Sequence, residues 1–244
     1  GRAARGGRIV PVNRVAIIPA RGGSKRIPRK NIKDFCGKPM IAWSIEAALA
    51  SGCFESVVVS TDDPEIAEIA LAWGATVPFM RPAELADDYT GTVAVMRHGV
   101  DWLNSNDTQV DFACCLYATA PFVTAENLRQ GWKSIREHVC SYVFSVTSYS
   151  FPIQRALRIT EDGRVSMFNP AHLNSRSQDL EEAWHDAGQF YWGRAAAWLE
   201  ERTVFGGESI PIKLPRHRVQ DIDSPEDWVR AECLMRVLGQ RDGA

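Results

Sequence analysis

The 244-residue sequence is short of several things that would each announce a class of protein. No apolar run approaches the roughly 18 residues that a bilayer span needs, and the first residues lack the apolar core and small-residue cleavage site of a secretory signal. Cysteines stand at 36, 53, 114, 115, 140 and 233, with no Cys-x-x-Cys and no Cys/His grouping at zinc spacing. That pattern argues against a zinc module or a disulfide framework and suits a reducing cytoplasm; Cys114 and Cys115 read as small buried hydrophobes. His98, His138, His172 and His217 show neither metal spacing nor a nucleophile partner. Gly-Lys-Ser/Thr, Gly-x-Ser-x-Gly and His-Glu-x-x-His are all missing, which removes P-loop NTPases, α/β-hydrolases and zincins. Neither sign of charge dominates: 28 Lys and Arg face 30 Asp and Glu, so a nucleic-acid-binding face is not expected.

What is present is enough for one substantial core, since 45% of residues are apolar. Residues 1–13 are Gly- and Arg-rich without periodicity and are read as a flexible leader. Beyond them strand and helix signals alternate. The strand Val15–Ile18 is followed by a helix opened by Pro39 and ended by Gly52, then by the strand Ser56–Ser60 and a helix capped by Asp63 with Pro64 at its first position. A short strand Ala75–Phe79, a helix Thr92–Leu103, the strand Phe112–Tyr117, a Thr124-capped helix to His138 and the strand Tyr142–Val146 continue the series. The pattern breaks at residues 149–182, where a hairpin turns at Asp162-Gly163 and the rest is polar; such an arm has little core of its own. A strand-like Gln189–Trp192, a helix from Ala195, a strand Ile210–Leu214 and a helix from Pro225 to Leu238, opened by a Ser224/Asp227 capping box, complete the chain. The expectation is an α/β fold with a mostly parallel, Rossmann-like sheet over 14–148 and 183–244, with ligands bound beyond the carboxyl ends of the strands.

Directly behind the first strand comes Pro19-Ala20-Arg21-Gly22-Gly23-Ser24-Lys25-Arg26-Ile27-Pro28-Arg29-Lys30-Asn31, which packs five cations and a Gly-Gly pair into one loop. Glycine lets a backbone approach an anion and aim N–H groups at it, while Arg and Lys supply charge, so the loop has the composition of a polyphosphate cradle. By composition alone a solvated basic turn fits it too. Near the other end of the chain, Asp221-Ile222-Asp223 would place two carboxylates on one side of an extended segment with Ile222 pointing away. Two carboxylates facing phosphates suit Mg²⁺; taken alone, the pair also suits a turn before a helix.

The order of residues in the loop resembles the opening motif PARGGSKG-P-KN of the cytidylyltransferases that activate nine-carbon α-keto acid sugars, the sialic acid and pseudaminic acid CMP-synthetases, with Arg26 in place of a small residue. Arg81-Pro82-Ala83-Glu84-Leu85-Ala86 resembles that family's Arg-Pro-x-Glu-Leu-Ala, and Asp221-x-Asp223 its metal-binding pair. The resemblance implies a GT-A-like nucleotidyltransferase sheet, a dimerisation arm at 149–182, a homodimer, and transfer of CMP from CTP to a sugar acid with release of pyrophosphate. Under it Ala20, Arg21, Gly22, Gly23, Ser24, Lys25, Asn31 and Arg81 bind the nucleotide, Arg21, Lys30, Asp221 and Asp223 act in catalysis, and the two aspartates hold Mg²⁺. Tyr117-Ala118-Thr119 stands where the sialic acid branch has Gln-Pro-Thr, and the stretches Ser175–Asp179 and His185–Gly193 look like the pseudaminic acid branch. Tyr117, Thr119, Arg176, Gln178, Asp186 and Gln189 are therefore the expected sugar contacts, with Arg176 a fork for the carboxylate and the glutamines partners of acylamino groups. The rival readings are a sialic acid synthetase, a glycosyltransferase using a sugar nucleotide, and a non-catalytic CTP-binding regulator.

Overall fold

In the computed structural model, which describes residues 11–88 and 90–242, the β-branched run Arg14–Pro19 is strand β1, and Val15 to Ile18 are all fully buried. Burial on both faces is what a central strand of a parallel sheet requires. Residues 1–10 of the expected leader lie outside the described residues. Asn13 belongs to the folded body, since its N–H donates to Asp111 Oδ2 at 2.7 Å and its carbonyl accepts from Asp111 N–H at 3.0 Å.

A two-residue pair, β2 (Asp34–Phe35) with β3 (Lys38–Pro39), turns at Cys36 and Gly37, whose φ angles of 49° and 95° are both positive. Helix α1 (Met40–Ser51) ends at Gly52 with φ 65°. Strand β4 (Ser56–Ser60) leads to α2 (Pro64–Ala72), where Asp63 accepts from the N–H groups of Glu65 and Ile66 at 2.9 and 3.1 Å. Then come α3 (Thr92–Ser105), β5 (Phe112–Leu116), the Thr124-capped α4 (Ala125–Glu137) and β6 (Tyr142–Ser148). The expected strand Ala75–Phe79 is reduced to one bridge between Thr76 and Val58.

The arm carries the hairpin β7 (Leu157–Ile159) and β8 (Val165–Met167), and is pinched at its base by Tyr149 N–H donating to Ala183 O at 3.0 Å. Phe151, Leu157, Ile159, Val165 and Phe168 on it are exposed. Strand β9 (Trp184–Arg194), α5 (Ala195–Leu199), β10 (Ser209–Lys213) and α6 (Pro225–Asp242) follow. The main sheet runs β10-β6-β9-β5-β1-β4, with β9 antiparallel to both its neighbours and the other pairs parallel. Among the described residues no helix is long and apolar enough to cross a membrane.

The chain leaves β1 towards β4 on one side and returns through α3 to β5 on the other, so the carboxyl ends of β1 and β5 flank a crevice. Two cores fill the faces of the sheet, one under α1, α2 and α4 through Ile41, Ile66 and Leu128, the other under α3 and α5 through Met96, Val100 and Trp198. A third, separate cluster joins Ile27 and Phe35 to Ile222, Trp228 and Leu238. It packs the basic loop against the start of α6.

Candidate active site

The basic loop leaves β1 at the crevice and is fixed by hydrogen bonds before any ligand enters. Ala20 is buried and donates its N–H to Ser60 O at 2.9 Å, and Asn31, 7% exposed, donates its side-chain amide to Arg21 O at 3.0 Å. Gly22 N–H donates to Asp62 Oδ1 at 2.9 Å, and a Cβ at Gly22 would lie 2.7 Å from Asp63 Oδ2. Glycine is needed here because the loop backbone lies against the cap of α2, whereas the sequence suggested an approach to an anion. Gly23 meets no comparable obstacle. Arg29 turns away from the crevice and bonds Asp63 at 2.5 and 3.0 Å and Glu65 at 2.7 Å, so it is a brace between loop and helix. The hydrogen bonds from Arg29 hold the Asp63 carboxyl down at about 2.

The remaining cations line a cavity of about 440 Å³ whose wall includes Arg21, Ser24, Lys25, Arg26, Lys30 and Asn31. Its other end is closed by Arg81, Thr92, Tyr117 and Thr119, and Asp223 lies at its edge. Lys25 reaches Asp88 at 2.6 Å, and Arg21 bonds the other oxygen of the same carboxylate. Ser24 donates to Ile27 O at 2.7 Å. Arg81 is not the surface residue its type suggests: it is 6% exposed and donates to Ser60 Oγ, Ser60 O and Leu85 O at 3.1, 2.6 and 3.2 Å. Burial, with the Arg21 charge adding to it, pulls the Arg81 guanidinium below its usual range.

Ile222 is fully buried in the third core, and the aspartates on either side are exposed. Lys30 Nζ donates to Ile222 O at 3.0 Å and stands 3.6 Å from Asp223 Oδ1, tying the loop to the carboxylate pair. Although Asp221 as a whole is exposed, its carboxyl is crowded by the surrounding chain, and this partial loss of solvent first, then the negative charge of Asp223, push it up to about 6. A pair of like charges in such surroundings favours a cation between or beside them. Among the described residues no three His, Cys, Asp or Glu side chains gather as a ligand set; a pair of carboxylates beside a phosphate site matches the few carboxylates that Mg²⁺ prefers. The following turn is held by Asp227, which accepts from the N–H groups of Asp223 and Ser224 at 3.0 and 2.9 Å.

A second cavity of about 710 Å³ opens on the other side of the pair, lined by Asp221 and Asp223 together with His185, Arg216, His217 and Arg230. Asp223 borders both spaces. Sequence reasoning assigned these residues no role, nor Asp88 and Thr92 in the first cavity, because what brings them to the cavities is the fold and not a motif.

The expected sugar contacts divide. Tyr117 and Thr119 line the first cavity. Asp186 spends its carboxylate within the chain, accepting from Gly188 N–H at 2.9 Å and from Tyr191 Oη at 2.5 Å. Gln189, 3% exposed, donates to Arg218 O at 2.8 Å, while its side-chain oxygen is buried without a partner. Arg176 and Gln178 are exposed on the arm, Arg176 pairing with Asp179 at 2.8 Å, and neither borders the two cavities described here.

A profile of the cytidylyltransferase family matches residues 15–224. The chain is 48% identical over 223 residues, 91% of its length and 96% of the relative's, to a pseudaminic acid cytidylyltransferase of Campylobacter jejuni. It is 35% identical over 228 residues, 91% of its length and 50% of the relative's, to N-acylneuraminate cytidylyltransferase A of Danio rerio. The fold superposes on CMP:2-keto-3-deoxy-manno-octonic acid synthetase complexed with CTP with a TM-score of 0.67, at 18% identity, covering 92% of this chain and 98% of that one.

Proposed function

The chain belongs to the cytidylyltransferase family, and from that premise we propose that it transfers CMP from CTP to pseudaminic acid, a nine-carbon α-keto acid sugar, with release of pyrophosphate. The observation that carries the reaction is the junction at Lys30, which brings a cation-lined cavity and an aspartate pair to one edge. The higher identity to the pseudaminic acid enzyme than to the N-acylneuraminate enzyme supports the choice of sugar.

Arg21, Lys25 and Lys30 neutralise the triphosphate, and Arg81, already braced by Ser60 and Leu85, offers its remaining donors at the nucleoside end. The sugar acid lies across the junction at Asp223, its carboxylate facing Arg216 and Arg230 in the second cavity. Its anomeric hydroxyl attacks the α-phosphorus in line and gives up its proton to solvent, the bond from that phosphorus to the bridging oxygen breaks with its electron pair going to that oxygen, and pyrophosphate leaves against the basic loop. Asp221 and Asp223 hold Mg²⁺, which supplies positive charge to the reacting phosphate oxygens when bound. Alignment and charge account for the catalysis asked of these residues. The exposed apolar side chains of the arm suit a second copy of the chain, so the acting form is a homodimer.

The test is pyrophosphate release from CTP with Mg²⁺ and either pseudaminic or N-acetylneuraminic acid. Pseudaminic acid is expected to give the far larger kcat/KM, because a site built for one set of polar groups rejects an analogue that leaves them unpaired. Equal values would overturn the choice of sugar, and no pyrophosphate with any nonulosonic acid would overturn the reaction.

A further inference from the structure

Between the paired Phe144–Tyr191 and Val146–Asp186, strand β6 has one residue, Ser145, and β9 has four, Ala187 to Phe190. The surplus makes a bulge, and a bulge re-aims the chain beside a site. Its shape is fixed from within. Asp186 accepts from Gly188 N–H at 2.9 Å through one carboxylate oxygen and from Tyr191 Oη at 2.5 Å through the other, and Gly188 takes a φ of 66°. Phe190 N–H donates to Ser145 Oγ at 3.3 Å.

The bulge leans on the segment that carries the aspartate pair. A Cβ at Gly188 would lie 3.1 Å from Asp221 Oδ1 and 3.3 Å from its Cγ, so a side chain at 188 would have to share the space of that carboxylate. One residue on, Gln189 donates its side-chain amide at 2.8 Å to the carbonyl of Arg218, in the segment leading to Asp221. The same Asp221 Oδ1 accepts from Ile222 N–H at 3.1 Å. Asp221 is thus seated against β9 on one side, as Asp223 is tied through Lys30 to the basic loop on the other.

We propose that Asp186, Gly188 and Gln189 are positioning residues for the metal pair: the bulge holds the Asp221 carboxylate where it can share a divalent cation with Asp223. The assignment rests on the reading of these two aspartates as the Mg²⁺ ligands of a cytidylyltransferase. It replaces the sugar contact that the sequence suggested for Asp186 and Gln189 with a role that reaches the reaction through Asp221. A carboxylate fixed by its neighbours before the ion arrives has less freedom to lose on binding it.

The experiment uses Mn²⁺ as the probe, because the free ion is counted by its electron paramagnetic resonance signal with no nucleotide and no turnover. Gly188→Ala is expected to weaken Mn²⁺ binding about tenfold, the scale for disturbing the support of a metal ligand. Gln189→Met removes the hold on residue 218 together with the buried side-chain oxygen that has no partner. It should keep the fold and weaken Mn²⁺ about fivefold, the size of one hydrogen bond, and it serves if the alanine variant does not fold. Gly163→Ala on the arm, where φ is 76° and nothing stands within 4 Å of a Cβ, carries the same backbone strain and should bind Mn²⁺ like the parent. In pyrophosphate release the Mg²⁺ concentration for half-maximal rate should rise by similar factors in both β9 variants, with KM for the sugar unchanged at saturating Mg²⁺.

Unchanged Mn²⁺ binding in the folded β9 variants would overturn the proposal. So would a rise in KM for the sugar at saturating Mg²⁺, which would return the bulge to the sugar site. A parent that binds no Mn²⁺ would remove the metal pair on which the proposal rests. A parent that binds it, with both variants weakened but no pyrophosphate released from any nonulosonic acid, would support the seat of Asp221 and overturn only the reaction.

Discussion

Asp88 bonds Arg21 with one carboxylate oxygen and Lys25 with the other, at the place where the triphosphate is expected. Both cations draw the Asp88 carboxyl below its usual range, Lys25 more than Arg21. An internal anion therefore competes with the nucleotide for the same charges. Asp88→Asn is expected to tighten CTP binding by roughly threefold or more, a modest change because exposed ion pairs are weak. Calorimetric titration with CTP checks this; weaker binding in the variant would mean that Asp88 positions the cations without competing for them.

Asp223→Asn is expected to lower turnover by about a hundredfold or more, as for the loss of one strong transition-state contact. Asp223 also pairs with Lys30, so the variant should be checked for an unchanged fold by its melting curve. Full activity with the same response to Mg²⁺ would remove the pair as the metal site.

Gly22→Ala should destabilise the protein even with no ligand present, since the new methyl group would collide with Asp63. Displacing that carboxylate loses the cap of α2, worth about 1 kcal/mol, and should lower Tm by roughly 2–4 °C. Gly23→Ala, with no such obstacle, is the control and should melt like the parent.

Acid should act through Asp63. Its carboxyl is held at about 2 in the folded chain against an ordinary value of 3.8. A depressed carboxyl contributes stability that is fully present above 3.8 and is lost as the pH falls through about 2, because the unfolded chain takes up the proton first. Asp63→Asn keeps a capping oxygen but has no charge for Arg29. Urea unfolding at pH 7 and near pH 2.5 should therefore show a smaller acid-induced loss in the variant than in the parent.

The arm offers a test of assembly. Ile159→Glu combined with Phe168→Glu places charge on side chains that are already in water in the single chain, so neither change should disturb its fold. Light scattering is expected to show a dimer for the parent and a monomer for the double variant. A parent that stays monomeric at micromolar concentration would end the homodimer reading.

Local signals carried most of the architecture. Asp63, Thr124 and the Ser224/Asp227 box stand at the helix starts that their residue types advertise, because a cap is a short-range hydrogen bond. Strand direction leaves no such mark: nothing in Gln189–Trp192 distinguishes an antiparallel strand inserted between β5 and β6. The β2/β3 pair was too short for any alternation to register, and the Ala75–Phe79 run found only one bridging partner. In the site the basic loop and the aspartate pair were legible as motifs. Which cations serve the cavity was not, since Arg29 faces Asp63 and Glu65 through contacts more than thirty residues distant in sequence.

The third core has a consequence for the order in which the molecule becomes competent during synthesis. Residues 20–31 are made early, and the side chain that seats the aspartate pair, Ile222, must pack on Ile27, Phe35 and Trp228 from both ends of the chain. A ribosome-bound chain can complete β1 to β10 while its aspartate pair is still in the exit tunnel. The basic loop is then present without its carboxylate counterpart. Nucleotide chemistry would begin only when α6 docks, so a nascent chain holding the whole sheet should still be catalytically silent.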